Sequence, residues 1–238
     1  MRRLPVAAAF MILLVNATHA NPPLPKHNPN RQDSVQKAES LPPLPRRKPG
    51  RQTAPPNVPA GDPCGGALKD FAINADRLPP ITEGECGRGE VLVVTAVGTD
   101  TAVSFAAPAT FSCNMTIAMA KWIGEAVIPA ARKHLGAGIA AIPAGTSYAC
   151  RNRNNQADAK LSEHAFANAY DLSGFKLTNG EHIAVKAYDD GTPQAEFLAE
   201  IRAAACGPFT TVLGPGTNEY HSDHFHLDTA ERRNPYCQ

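Results

Sequence analysis

The chain has 238 residues, 43% of them hydrophobic and 19% charged, with a formal net charge of +1. That balance excludes a strongly basic nucleic-acid-binding chain, and no nucleic-acid module is legible in it. The near-neutral total hides an asymmetry: residues 21–60 hold seven Lys and Arg against two acidic residues (+5), whereas residues 61–238 hold 14 against 20 (−6).

The chain opens MRRLPVAAAFMILLVNATHA. Arg2 and Arg3 form a short basic start, residues 4–15 are apolar but too short to span a bilayer comfortably, and Thr18-His19-Ala20 puts small residues at −3 and −1 of a cleavage site. The pattern predicts a signal peptide over residues 1–20, and hence a periplasmic or secreted protein. No later segment is long and apolar enough to read as transmembrane.

Residues 21–60 hold eleven of the 22 prolines and a near repeat, PPLPKHNPNRQ and PPLPRRKPGRQ. Proline resists helix and sheet, so this stretch reads as a semi-rigid disordered tether. Its positive charge offers contact with an anionic wall polymer or membrane surface.

Residues 61–238 suffice for one domain with a core. VLVVTAVG (91–98), GIAAIPA (138–144) and HIAVKAY (182–188) read as strands. Residues 112–128 carry helical apolar spacing, with a stop or kink expected near Pro129 and resumption to Leu135. Thr192-Pro193 supplies an N-cap and first-turn pair for a helix to about Ala205, and Gly207 can end it. Irregular alternation of strands and helices favours α+β: one compact domain with a small, mainly antiparallel sheet carrying the site. Six cysteines, none in a CxxC pair, suggest up to three disulfides in an exported protein, and their pairing stays open.

The chemistry concentrates near the end, at NEYHSDHFHLD (218–228), where His221, His224 and His226 fall within six residues. In a strand His224 and His226 share one face, and Phe225 and Leu227 point to the core. A second segment, LSEHAFANAYD (161–171), puts Ala167, Ala169 and Asp171 on one parity, with His164 at the strand's entry. One His, one Asp and a distant His make a three-ligand set with an open fourth position, the arrangement of a catalytic zinc.

SEHAFANAYD resembles the S-x-H-x-x-G-x-A-x-D signature of zinc D-alanyl-D-alanine carboxypeptidases of the LAS superfamily. Ser162, His164, Ala169 and Asp171 match, and Ala167 stands where that signature has Gly. HSDHFH resembles the H-x-x-H-F-H ending of penicillin-insensitive murein endopeptidases, with His221, His224, Phe225 and His226 in register. The stretch from Cys64 to Cys237 resembles the extensin-like C-terminal domain of bacterial proteins. The resemblance implies one Zn2+ held by His164, Asp171 and His226, with His224 as a catalytic imidazole. Asp223 stands where the carboxypeptidases carry a general-base Glu, so His224 and Asp223 are both candidates for the base. His221 and Ser162 would line the site or orient a ligand, and Arg151 would steady an oxyanion or a substrate carboxylate. The implied function is hydrolysis of peptidoglycan peptides, foremost by an endopeptidase at a cross-link containing a D-amino acid. The alternatives are a D,D-carboxypeptidase, a non-catalytic wall-binding module and a periplasmic metal buffer.

Overall fold

The computed structural model describes Cys64 and residues 66–238; the expected signal peptide (1–20) and tether (21–60) lie outside the described residues. Apolar residues on both faces of β4 (Val91–Val97) make it an inner strand: Val91, Leu92, Val94, Ala96 and Val97 are all buried. It pairs antiparallel with β1 (Asn74–Leu78) and β5 (Val103–Phe111). The six-stranded sheet runs β1-β4-β5-β6-β8-β9, adding β6 (Ile139–Ile142), β8 (Gly174–Leu177) and β9 (His182–Ala184). A four-stranded sheet runs β12-β10-β11-β7, from β7 (Ala169–Leu172), β10 (Thr211–Leu213), β11 (Phe225–Asp228) and β12 (Tyr236–Cys237). Strands β2 (Ile81–Glu83) and β3 (Cys86–Arg88) form a separate hairpin. Only β5–β6 and β10–β12 pair parallel, so the described domain is α+β and mainly antiparallel.

Helix α1 (Cys113–Trp122) starts where Ser112 Oγ accepts from Met115 N. The rod runs on through π-type turns at Ile123–Val127, α2 (Ile128–Ala130) and π-type turns at Ala131–Leu135, and ends at Gly136 in the left-handed region (φ 63). The stop or kink expected at Pro129 is thus absorbed into wide turns. Proline lacks the N–H for a normal helical bond, and wider turns spread the mismatch. Helix α3 (Pro193–Ala205) has the expected cap, with Thr192 Oγ1 accepting from Ala195 N at 3.2 Å. The strand expected over 182–188 is shorter, ending at Ala184.

Strand β5 contains Pro108, which reads as a strand breaker. Its pairing with β4 shifts register here: Val94 faces Ala109, whereas Ala96 faces Ser104. The bulge places proline where no ladder bond is required of it.

The core interleaves both sheets with the helical rod. Trp122, Phe175, Phe197 and Phe209 meet in one aromatic group, and Phe105, Phe111 and Tyr170 in another. Three disulfides join Cys64 to Cys113, Cys86 to Cys150 and Cys206 to Cys237, closing separations of 49, 64 and 31 residues. By chain entropy each is worth about 4 kcal/mol. The second ties the β2–β3 hairpin to the segment leading to Arg151, where Tyr148 Oη also donates to Glu83 Oε2 at 2.8 Å.

Candidate metal centre

The site is built on the pairing of β7 with β11. Their antiparallel register sets Asp171 directly opposite His226. On the other face Tyr170, Phe225 and Leu227 are buried, which fixes which side each polar residue takes. His226 Nδ1 lies 2.8 Å from Asp171 Oδ1. His164 arrives from a 3-10 turn at Glu163–Phe166, with its Nε2 3.1 Å from the same oxygen. The ligand atoms of these three residues all lie within 4.8 Å of one another.

Ala167 is not the strand residue its parity suggested. It closes that 3-10 turn in the left-handed region, φ 53, and the strand begins at Ala169. Gly is the residue best suited to that backbone, so an Ala here carries strain. Two contacts hold the segment against the start of α1: Ser112 N donates to Ala167 O, and Ser112 Oγ to Asn168 Oδ1. Residues 145–147 cross β7 closely. A Cβ on Gly145 would sit 2.3 Å from the Asp171 carbonyl oxygen, so the crossing requires glycine.

That crossing sets the protonation of His164. Its Nδ1 lies 2.6 Å from Ser147 O, which can only accept, so Nδ1 carries the proton. In the neutral ring Nε2 then points a lone pair at a carboxylate. It is buried without a hydrogen-bond partner, since its 3.1 Å approach to Asp171 is close but not hydrogen-bonded. Two lone pairs at that distance repel unless a cation or proton lies between them. A tetrahedral metal with bonds near 2.0 Å sets its donors roughly 3.3 Å apart, close to these spacings. Two imidazole nitrogens and a carboxylate oxygen therefore fit a divalent metal.

His226 has a second partner that the sequence reading passed over. Its Nε2 lies 3.2 Å from Asp228 Oδ2, and Asp228 is 2% exposed. Asp228 shares the parity of His224 and His226, which was the available signal. A ring donating from Nε2 to a buried carboxylate presents Nδ1 to a metal. Burial pushes His226 toward its neutral form, but hydrogen bonds to Asp171 and Asp228 prevail and hold its pKa up at about 9 in the metal-free protein. Burial likewise pushes Asp171 up, and the adjoining imidazoles, His226 by its hydrogen bond and His164 by its close approach, overcome it and hold the carboxyl well below the usual range.

His224 stands just before β11, with Nε2 3.7 Å from Asp171 Oδ1. Its Nδ1 donates to Asp223 Oδ1 at 2.9 Å. The Asp223 side chain is 85% exposed and does not line the cleft, so it faces the back of His224. His221 is buried and donates from Nδ1 to Asn218 Oδ1 at 2.7 Å. Burial, then the neighbouring His226 and His224, lower its pKa to about 4. Ser162 is buried at the cleft wall, and Arg151 Nη2 lies 3.6 Å from Asp171 Oδ2. The structure thus brings Ser162, His164, Asp171, His221, His224, His226 and Arg151 to one cleft of about 750 Å3 and leaves Asp223 at its edge.

A family model for the extensin-like protein C-terminus matches residues 62–238. The chain belongs to that family. No curated protein and no solved structure matches the chain. The family span contains every residue of the cleft, so the site lies wholly within the extensin-like domain.

Proposed function

We propose that this extensin-like protein is an exported zinc-dependent peptidase that hydrolyses peptidoglycan peptides, cutting at a cross-link that contains a D-amino acid. The observation that carries the reading is the His164–Asp171–His226 set, with the buried, unpartnered His164 Nε2, opening on a cleft of enzyme size. Zinc bound by His164 Nε2, Asp171 and His226 Nδ1 would polarise the scissile carbonyl and acidify water toward neutral pH.

The protein's own groups do the rest. His224 takes a proton at Nε2 from the attacking water and returns it to the leaving amine. Asp223 holds the other ring proton at Nδ1 and fixes the tautomer. Of the two candidate bases, this geometry favours His224. Arg151 faces the developing oxyanion or a substrate carboxylate. The basic proline-rich stretch 21–60 would hold the domain near anionic wall polymer.

Zinc content and muropeptide cleavage by the purified chain test this reading. Expected are about one zinc per chain, lost in His226→Ala, and turnover reduced at least 100-fold in His224→Ala with zinc retained. Zinc binding without cleavage of any muropeptide would favour a wall-binding module on the same fold. No retained zinc would sink the metallopeptidase.

A further inference from the structure

Three arginines line the cleft: Arg151, Arg153 and Arg232. The cleft's carboxylates are already engaged. Asp171 faces the imidazoles, Asp228 accepts from His226 and from Ala230 N, and Glu163 accepts from Asn168 and faces Arg153 at 3.7 Å. Two of the guanidinium groups are held only by long ion pairs. The nearest acid is 3.6 Å away for Arg151 and 3.9 Å away for Arg232, and neither side chain makes a hydrogen bond among the described residues. Yet their side chains are only 28% and 29% exposed. A guanidinium carries five N–H donors in a planar fork, and partly desolvated donors favour an acceptor of matching shape.

Their placement is two-sided. Arg151 faces Asp171, the carboxylate on the Nδ1 side of His226, and Arg232 faces Asp228, the carboxylate on its Nε2 side. Tyr220 and Tyr236 line the same cleft and are each 49% exposed. Half-exposed tyrosines in a polar cleft offer apolar contact area at low entropic cost.

We infer that Arg232, with Tyr220 and Tyr236, forms a second carboxylate subsite across His226 from Arg151. The cleft then grips an acidic peptide by one carboxylate on each side of the metal set. This inference rests on the peptide-hydrolase reading. It favours an internal bond, because a two-ended grip needs chain on both sides of the cut.

The test uses the full chain stripped of metal by chelator, so that no bond is cut during titration. Three synthetic cross-linked stem-peptide dimers are titrated calorimetrically: one with free carboxylates on both sides of the cross-link, and two amidated on one side or the other. Arg232→Gln should weaken the doubly free dimer about tenfold and leave one amidated dimer within twofold. Arg151→Gln should spare the other amidated dimer instead. Arg232→Lys, which keeps the charge but loses the fork, should fall between wild type and Arg232→Gln. Equal weakening of all three dimers by Arg232→Gln, or none, overturns this inference alone. A wild-type chain that binds none of them overturns the proposed function and this inference together.

Discussion

Replacing Asp228 by Asn tests whether the carboxylate behind His226 tunes the metal set. The substitution is nearly isosteric in a position 2% exposed, so packing is preserved. Asn can still accept from Ala230 N through its oxygen, the bond that Asp228 Oδ1 makes at 3.1 Å. Its amide then points an N–H2 at His226 Nε2, donor against donor, and the charge-assisted bond is lost. Losing such a partner weakens metal affinity about 10–100-fold, or ~1.4–2.7 kcal/mol. A second effect opposes it. With a pKa held up at about 9, His226 is protonated at pH 7, and a metal must displace that proton at a cost of about 2–3 kcal/mol. Asp228→Asn lowers that pKa and relieves part of the competition. The loss of affinity should therefore be a few-fold at pH 7 and approach the full 10–100-fold above pH 9. Competition against a chromophoric zinc chelator at both pH values measures the ratio directly. A ratio near one at both, with the variant's melting temperature unchanged, would refute the assigned role of Asp228.

Metal-free protein should also show a bounded pH–stability profile. His226 has its pKa raised on folding, so its contribution is complete below about pH 6.5 and is lost as pH rises through about 9, a fall of up to ~3 kcal/mol. Asp171 has its pKa lowered, so its contribution is complete above about pH 4 and is lost in acid. Urea melts at pH 5.5 and 9 check this, and equal stability at both would contradict the ion-pair geometry. Ala167→Val should destabilise by at least ~2 kcal/mol and lower zinc retention, because a β-branched residue resists φ 53 and His164 sits three residues before it. Ala167→Gly should stay within ~1 kcal/mol of wild type; calorimetric melts of both variants decide this.

Much of the site was legible because short-range rules govern it. Period-two alternation paired His224 with His226 and sent Phe225 and Leu227 inward. The Thr192-Pro193 cap placed α3 without reference to any other part of the chain. Pro129 misled for the same local reason: it breaks a regular ladder, and wide helical turns absorbed it. Ala167 shared a parity with Asp171 that lost its meaning because Ala167 is itself left-handed and the strand starts only at Ala169.

By itself the sequence determined that the domain is mixed α and β, and which residues could ligate a metal. Those follow from composition, periodicity and side-chain chemistry, which are properties of neighbouring residues. Only the tertiary structure decided the cysteine pairing, the register that sets Asp171 against His226, and the crossing at Gly145. That crossing brings Ser147 O to His164 and leaves Nε2 facing the carboxylate. Each of these joins segments far apart in the chain, and the choice among such contacts is made by the whole core packing at once.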